Sequence, residues 1–596
     1  MSGHYKNRGL IEMRVFPAVR FFTALSLLFS FVILPQASIA ASAAPEKAAL
    51  AKEQQVLQTL SRLTFGAKPG EVERVTKIGV KAFIDEQLAP DNIDDSALSK
   101  RLNKLPTLNL STPIIAEQYN PPKPKPTPTP VAAPANIAVA DVKTDVAKAL
   151  PDTGIIDAKP SPTPAPKPTP TPKNPQQVVI ELQRAKLLRA VYSERQLYEV
   201  MVDFWENHFS IYANKDANRW LLTSFDRDSV RPYTLGRFRD LLGSTAKSPA
   251  MLYYLDNWQS SLLREYPATK DKPARKSGGI NENYARELME LHTLGVDGGY
   301  TQKDVQEVAR CFTGWTIRKP NEEGIFVYNP AMHDNGEKIV LGVKIPADGG
   351  IADGERVLDI LAKNPATAKF VATKMARRFM GDNPPAAVVD RAAKTFLATD
   401  GSITETLRSI ISSPAFFNES NFRIKVKSPF EFVASALRIT GAETDANRPV
   451  LDWIGKMGQP VYGRITPDGY PDLTTEWLSN NDLLARFNFA SAFALNNIKG
   501  TTVAADKFMT NAGDRATATK QIEKSILFDQ ASAQTRKALE KLAADTEHSL
   551  SQPVAPVPIP ASATSWAAAP KPQDPAKVLS GQLVALALGS PEFQRK

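Results

Sequence analysis

Histidine is scarce in this chain, five residues in 596, so each one in polar company is a candidate for proton transfer or metal ligation, the tasks imidazole performs near neutral pH. His208 ends a run in which Leu197, Met201 and Phe204 recur at helical spacing, with Trp205, Asn207 and Phe209 alongside. The imidazole therefore sits on the apolar edge of a helix, either as a core histidine satisfied by one neighbour or as a general base or metal ligand. His333 with Asp334 is the most site-like pair on a loop, since a carboxylate orients an imidazole and loops present side chains into clefts. Its plainer alternative is an Asp-Asn-Gly turn with an incidental histidine. In segment 280–295, Tyr284, Leu288 and Leu291 make a buried helical stripe, and Asn283, Glu287 and Glu290 share the adjacent face. Two carboxylates one turn apart can bind a cation or divide acid and base roles. Alternatively they belong to a surface network around Arg286 worth little energy. His292, near the end of this helix, is expected to be a C-terminal group favoured by the dipole.

These residues define an expected cleft: His208, Glu287, His333 and Asp334 as catalytic groups, the first three as possible ligands of a divalent metal, and Asn207, Asn283 and Trp315 in binding contacts. No HExxH, Walker loop, GxGxxG, GxSxG elbow or cysteine cluster is present, which leaves zinc hydrolysis, nucleotide binding and serine catalysis without their usual signatures.

The elements that must position such a cleft are mainly α. Apolar spacing is helical through most of the chain, as at Leu50, Leu57, Leu60 and Leu63 or Leu182, Leu188 and Val191. Serine as N-cap with proline at the first helical position recurs at Ser248, Ser413, Ser428 and Ser590. Thr301 to Asp304 has the form of a capping box, with a helix expected to about Phe312. Short β-prone runs broken by Asn, Pro and Gly predict a small antiparallel hairpin or sheet near 315–346. Sixteen of the 47 prolines fall between Asn120 and Gln176. Such a segment favours polyproline II and cannot bury a core, so it is expected to be a disordered insertion sensitive to protease. The predicted organisation is a signal peptide at 1–43, an N-terminal helical part of the main domain at 44–119, the insertion at 120–176, the main helical domain at 177–552, a Pro/Ala linker at 553–575, and a C-terminal helix at 576–596 that packs on the main domain.

Lys6, Arg8, Arg14 and Arg20 precede an uncharged apolar run at 21–34, then Pro35 and small residues through Ala43. This is the pattern of a secretory signal cut after Ala40 or Ala43, giving an exported protein of the periplasm or cell surface with no later membrane span. With Cys311 the only cysteine, no intrachain disulfide can form. Of the net charge of +10, residues 1–40 carry +3 (four basic, one acidic) and 119–176 another +3 (seven basic, four acidic). The rest is an ordinary mixed surface, which argues against nucleic-acid binding.

Several stretches occur in an order that resembles a bacterial exported family catalogued as domain of unknown function 1800. They are Leu63-Thr-Phe-Gly66, Phe204-Trp-Glu-Asn-His-Phe209, Ser248-Pro-Ala-Met-Leu-Tyr-Tyr-Leu-Asp256, the 281–296 segment, Thr313-Gly-Trp315, His333-Asp334, Gly458-Gln-Pro-Val-Tyr462, Pro467-Asp-Gly-Tyr470 and Ser590-Pro-Glu-Phe-Gln594. The resemblance spans nearly the whole mature chain. It implies an exported helical protein, often encoded near a second secreted protein that resembles the alkaline-phosphatase and sulfatase superfamily, and it brings no assigned catalytic residue. Two functions follow as expectations: an envelope enzyme or ligand- or metal-binding protein with a His/Glu/Asp cleft, or a non-catalytic scaffold or maturation partner of that second exported protein.

Overall fold

The computed structural model describes residues 49–120, 173–509, 515–551 and 575–596. The expected signal peptide and nearly all of the insertion and of the Pro/Ala linker lie outside the described residues. The described chain is mainly α with small two-stranded antiparallel sheets, as the sequence predicts. Lys173 N–H donates to the Gln118 carbonyl at 2.9 Å, so the chain leaves and re-enters the helical body at one point, which suits an insertion within a domain.

Two helices form the centre. All eleven residues of Pro429–Ile439 are buried, and Gln176–Tyr192 buries residues all round its axis; a helix with no solvent face has no need of an amphipathic stripe. Arg438 crosses between them: it donates to the Val191 carbonyl at 2.8 Å and pairs with Glu71 at 3.1 Å. That fastens the N-terminal helix Glu71–Ile78 to the core. Gln87 and Gln196 do the same for neighbouring segments, each accepting a buried backbone N–H through its side-chain oxygen, from Leu197 at 3.1 Å and Phe65 at 3.0 Å.

Local signals set the element ends. Ser413, Ser428 and Ser590 each accept the backbone N–H three residues on, with proline at the first helical position. Ser248 holds the same place without that bond. Thr301 and Asp304 form the reciprocal capping box of Gln302–Cys311. In the expected β region, Trp315–Arg318 pairs with Ile325–Tyr328 and Lys338–Val340 with Val343–Ile345. One further hairpin, Ser261–Tyr266 with Arg275–Gly279, is exposed along nearly its whole length. The 280–295 segment departs from a plain α-helix: Glu282–Glu287 passes into a π segment, Leu288–Thr293, which shifts the face on which Glu290 and His292 emerge.

The chain closes on its own middle. Lys427 N–H donates to Gln594 at 2.9 Å, and Lys425 and Lys596 exchange backbone hydrogen bonds of 3.2 and 2.8 Å, so the segment after Pro575–Gly589 runs beside the entry to the central helix. Among the described residues no helix is long and apolar enough to cross a membrane.

Candidate functional site

The residues singled out from sequence have separate partner sets. His208 is buried in an aromatic nest of Phe204, Trp205, Phe209 and Phe370. Its Nε2 lies 3.0 Å from the His292 carbonyl, which makes that nitrogen the donor, and its Nδ1 has no partner. Burial, then Lys374 and His292, hold its pKa well below the usual value, so it is a neutral core histidine. His292 is also buried, its pKa lowered by burial and then Lys374 to about 3. It is a second core imidazole rather than the charged helix end expected from sequence.

His333 and Asp334 are adjacent in sequence but turn to different partners. Asp334 is held by Arg310 at 2.8 Å and accepts the Gly336 N–H at 2.9 Å. The buried His333 has Nδ1 2.7 Å from the Thr313 carbonyl and Nε2 3.2 Å from Asp353, which Lys338 meets at 2.6 Å. All three side chains of His333, Asp353 and Lys338 are fully buried, so this is an internal brace between hairpin and helix. Trp315 packs its buried indole where a Cβ on Gly354 would stand, 2.6 Å away. Asn283 donates to the Leu255 carbonyl at 3.4 Å. Glu287 is half-buried, its pKa raised by burial and then by Glu290, with Asp468 adding to the rise. Among the described residues no group of three or more His, Cys, Asp and Glu side chains is arranged to hold a metal ion.

Asn207 leads to the pocket. Its side chain makes a two-point clamp on one backbone position, accepting from Tyr470 N–H at 2.7 Å and donating to the Tyr470 carbonyl at 2.9 Å. The clamped turn carries Gly469 at φ +75°, where a Cβ would come within 2.3 Å of the Asn207 carbonyl, so only glycine fits. Asp468 of this turn also acts on Glu287. Between Asn207, the turn and the central helix lies a pocket of about 100 Å3.

One wall of the pocket is a buried carboxylate cluster. Lys186 pairs with Asp203 at 2.8 Å and Glu206 at 2.7 Å. Tyr462 donates its hydroxyl to Glu206 at 2.8 Å, from a backbone held in the left-handed region at φ +55°, a costly conformation for tyrosine and one that recurs at functional sites. Behind Glu206 stands Asp226, bound by Arg231 at 2.9 Å and Arg189 at 3.3 Å, and Arg231 also binds Glu199 at 3.0 Å. Four carboxylates meet three cations, so the cluster is neutral only when it keeps one proton. Burial raises the Glu206 carboxyl, Lys186 opposes, and Asp226, in hydrogen-bond contact, raises it further, to about 7. At Asp226 burial alone would raise the pKa, but Arg231 and Arg189 outweigh it and hold it at about 2. The proton therefore resides on Glu206, the member of the pair that lines the pocket.

Sequence reasoning passed over Glu206 although it lies between Trp205 and Asn207. A signal was present: Glu199, Asp203 and Glu206 fall at spacings of four and three on an otherwise apolar helix, and Lys186 and Arg189 are three apart on the preceding one. No curated protein and no solved structure matches the chain. Its motifs, spread from the N-terminal helices to the closing helix Pro591–Gln594, belong together, because a family model matches residues 58–595, and the chain is a member of the family described as protein of unknown function (DUF1800).

Proposed function

We propose that this chain is an exported acid–base enzyme or ligand-binding protein that works through the pocket beside Asn207, with Glu206 as its proton donor and acceptor. The observation that carries this is the buried cluster at the pocket wall, four carboxylates against three cations: a carboxyl group pushed up to about 7 there can give or take a proton under physiological conditions at little cost. Tyr462 orients the Glu206 carboxyl, and Lys186, spanning Asp203 and Glu206, keeps the charged form from being expelled. Their protonation favours the two ions differently: burial alone would lower the Lys186 pKa, and the Asp203 and Glu206 carboxylates more than reverse that, so Lys186 remains a fixed cation while Glu206 titrates.

Difference infrared spectroscopy of the carboxyl C=O stretch tests this. A protonated carboxyl should titrate at about pH 7 in the wild type and be absent from Glu206→Gln. If no carboxylic acid band persists above about pH 5.5, in the ordinary carboxylate range, the acid–base reading fails. The second reading, a scaffold or maturation partner for an exported protein resembling the alkaline-phosphatase and sulfatase superfamily, is favoured by the hairpin Ser261–Tyr266 and Arg275–Gly279. It offers exposed Leu262, Leu263 and Tyr266 on an unpaired strand edge that a partner strand can extend.

A further inference from the structure

The wall opposite Glu206 has the reverse imbalance. Glu431, on the buried central helix, lies 2.6 Å from Arg378 and in contact with the Lys596 ammonium. Lys425 stands next to them and pairs with Asp382 at 3.2 Å, also donating to the Asp472 carbonyl at 2.7 Å. Arg62 is fully buried behind this group; its Nη2 donates to the Asn421 carbonyl at 2.9 Å, and its Nε and Nη1 have no hydrogen-bond partner. Four cations thus share two carboxylates, an excess of two positive charges, or of one if the α-carboxyl of Lys596 is counted as free. The next pair outward, Lys374 with Asp472 at 3.5 Å, is already balanced.

Water does not neutralise this excess. The side chains of Arg378, Lys425 and Lys596 are 10%, 7% and 3% exposed, and cations so placed are costly unless paired. The strain shows in their proton affinities: burial, then Arg378, lowers Arg62 to about 9 and takes Lys596 well below its ordinary value, and burial lowers Lys425 against the pull of Asp382. Arg378, nine-tenths buried, lines the pocket together with Lys425 and Lys596, and its Nη1 is the atom that meets Glu431. A guanidinium and two ammonium groups converging on one cavity match the geometry of an oxyanion, which accepts several charge-assisted hydrogen bonds at once.

We propose that the pocket binds the oxyanion group of a small ligand, a carboxylate, sulfate or phosphate, on Arg378, Lys425 and Lys596, and turns the rest of that ligand towards Glu206 and Tyr462. This rests on the pocket reading above and supplies its substrate class: an anionic compound with a second polar group that exchanges a proton. The two walls have complementary tasks, one holding charge and one moving a proton.

Calorimetric titration of the mature protein with inorganic phosphate, sulfate and acetate, each against chloride at equal ionic strength, tests the proposal and distinguishes the three anions. At least one should bind saturably, and Lys425→Met should weaken it roughly tenfold or more, the loss of one charge-assisted contact. Lys344→Met, which removes an exposed cation that does not line the pocket, should bind the same anion within a factor of about three. Absence of saturable binding by all three in folded wild-type protein overturns the proposal, as does equal binding by wild type and Lys425→Met. Should Lys425→Met not fold, Lys596→Met replaces it under the same criterion. Anion binding without a Glu206 carboxyl titrating near 7 would defeat the acid–base reading while leaving the anion site in place.

Discussion

Replacing Glu206 with glutamine freezes the cluster in its protonated form, and the consequence for stability follows from proton linkage. In the unfolded chain the carboxyl titrates at its ordinary 4.5, in the folded protein at about 7. Because the folded state holds the proton more tightly, this group stabilises the fold fully below the unfolded value and loses that contribution as pH rises through the folded one. The span corresponds to about 3 kcal/mol at about 1.4 kcal/mol per pH unit. Glutamine keeps an oxygen for the Tyr462 hydroxyl and an amide for Asp226, while Lys186 retains Asp203 at 2.8 Å, so the variant should fold. The stability of wild type minus that of Glu206→Gln should therefore fall by about 3 kcal/mol between pH 4.5 and 8, leaving the variant the more stable protein at the alkaline end. Asp226, held at about 2, is ionised throughout this window and does not contribute. The buried histidines do titrate in the unfolded state here, but equally in both proteins, so they cancel in the difference. Urea denaturation at four or five pH values measures it. Parallel stability curves, or a variant that is less stable than wild type at pH 8 by as much as at pH 5, would refute the shared-proton argument.

Two further outcomes follow from the remaining residues. His208→Gln removes a buried hydrogen bond to the His292 carbonyl and should cost about 1–3 kcal/mol at neutral pH, with any phenotype tracking lowered abundance. Because the folded His208 pKa is depressed, its contribution is present above about 6.5 and lost as pH falls, so the variant's deficit should shrink in acid; a deficit that grows in acid, or a lost function at unchanged melting temperature, contradicts the core assignment. N-terminal sequencing of the exported protein should begin near Ala41 or Ala44, and a cellular product starting at Met1 would remove the export expectation.

The fold was legible wherever a local rule decides it. Serine–proline helix starts, the Thr301–Asp304 capping box and the Trp315–Ile345 hairpins all depend on residues within a few positions of one another, and those signals survive in a single sequence. The exposed hairpin at 261–279 escaped because neither strand buries a face, so the period-two alternation that marks a half-buried strand never appears. The π segment Leu288–Thr293 escaped for a related reason: a single π turn shifts the helical phase over too few residues for apolar spacing to register it.

The site was harder to read because its members meet across the chain. Glu206 receives Tyr462 from 256 residues away, and Glu431 meets Lys596 across 165. Histidine chemistry drew the sequence reading to His208 and His333, yet an imidazole with one satisfied nitrogen and aromatic neighbours is a stable core element, and a carboxylate next in sequence need not be next in space, as Asp334 and Asp353 illustrate. What the sequence does contain is a stripe of acids on one buried helix and of bases on the helix before it. Such stripes require each other, since neither can be buried alone. Their count is what carries chemical meaning: with one acid more than base, the cluster is neutral when it holds a proton, and with more cations than carboxylates, the wall opposite favours an anion. Charge balance across a pocket is thus a more informative guide to this protein than the identity of any single reactive residue.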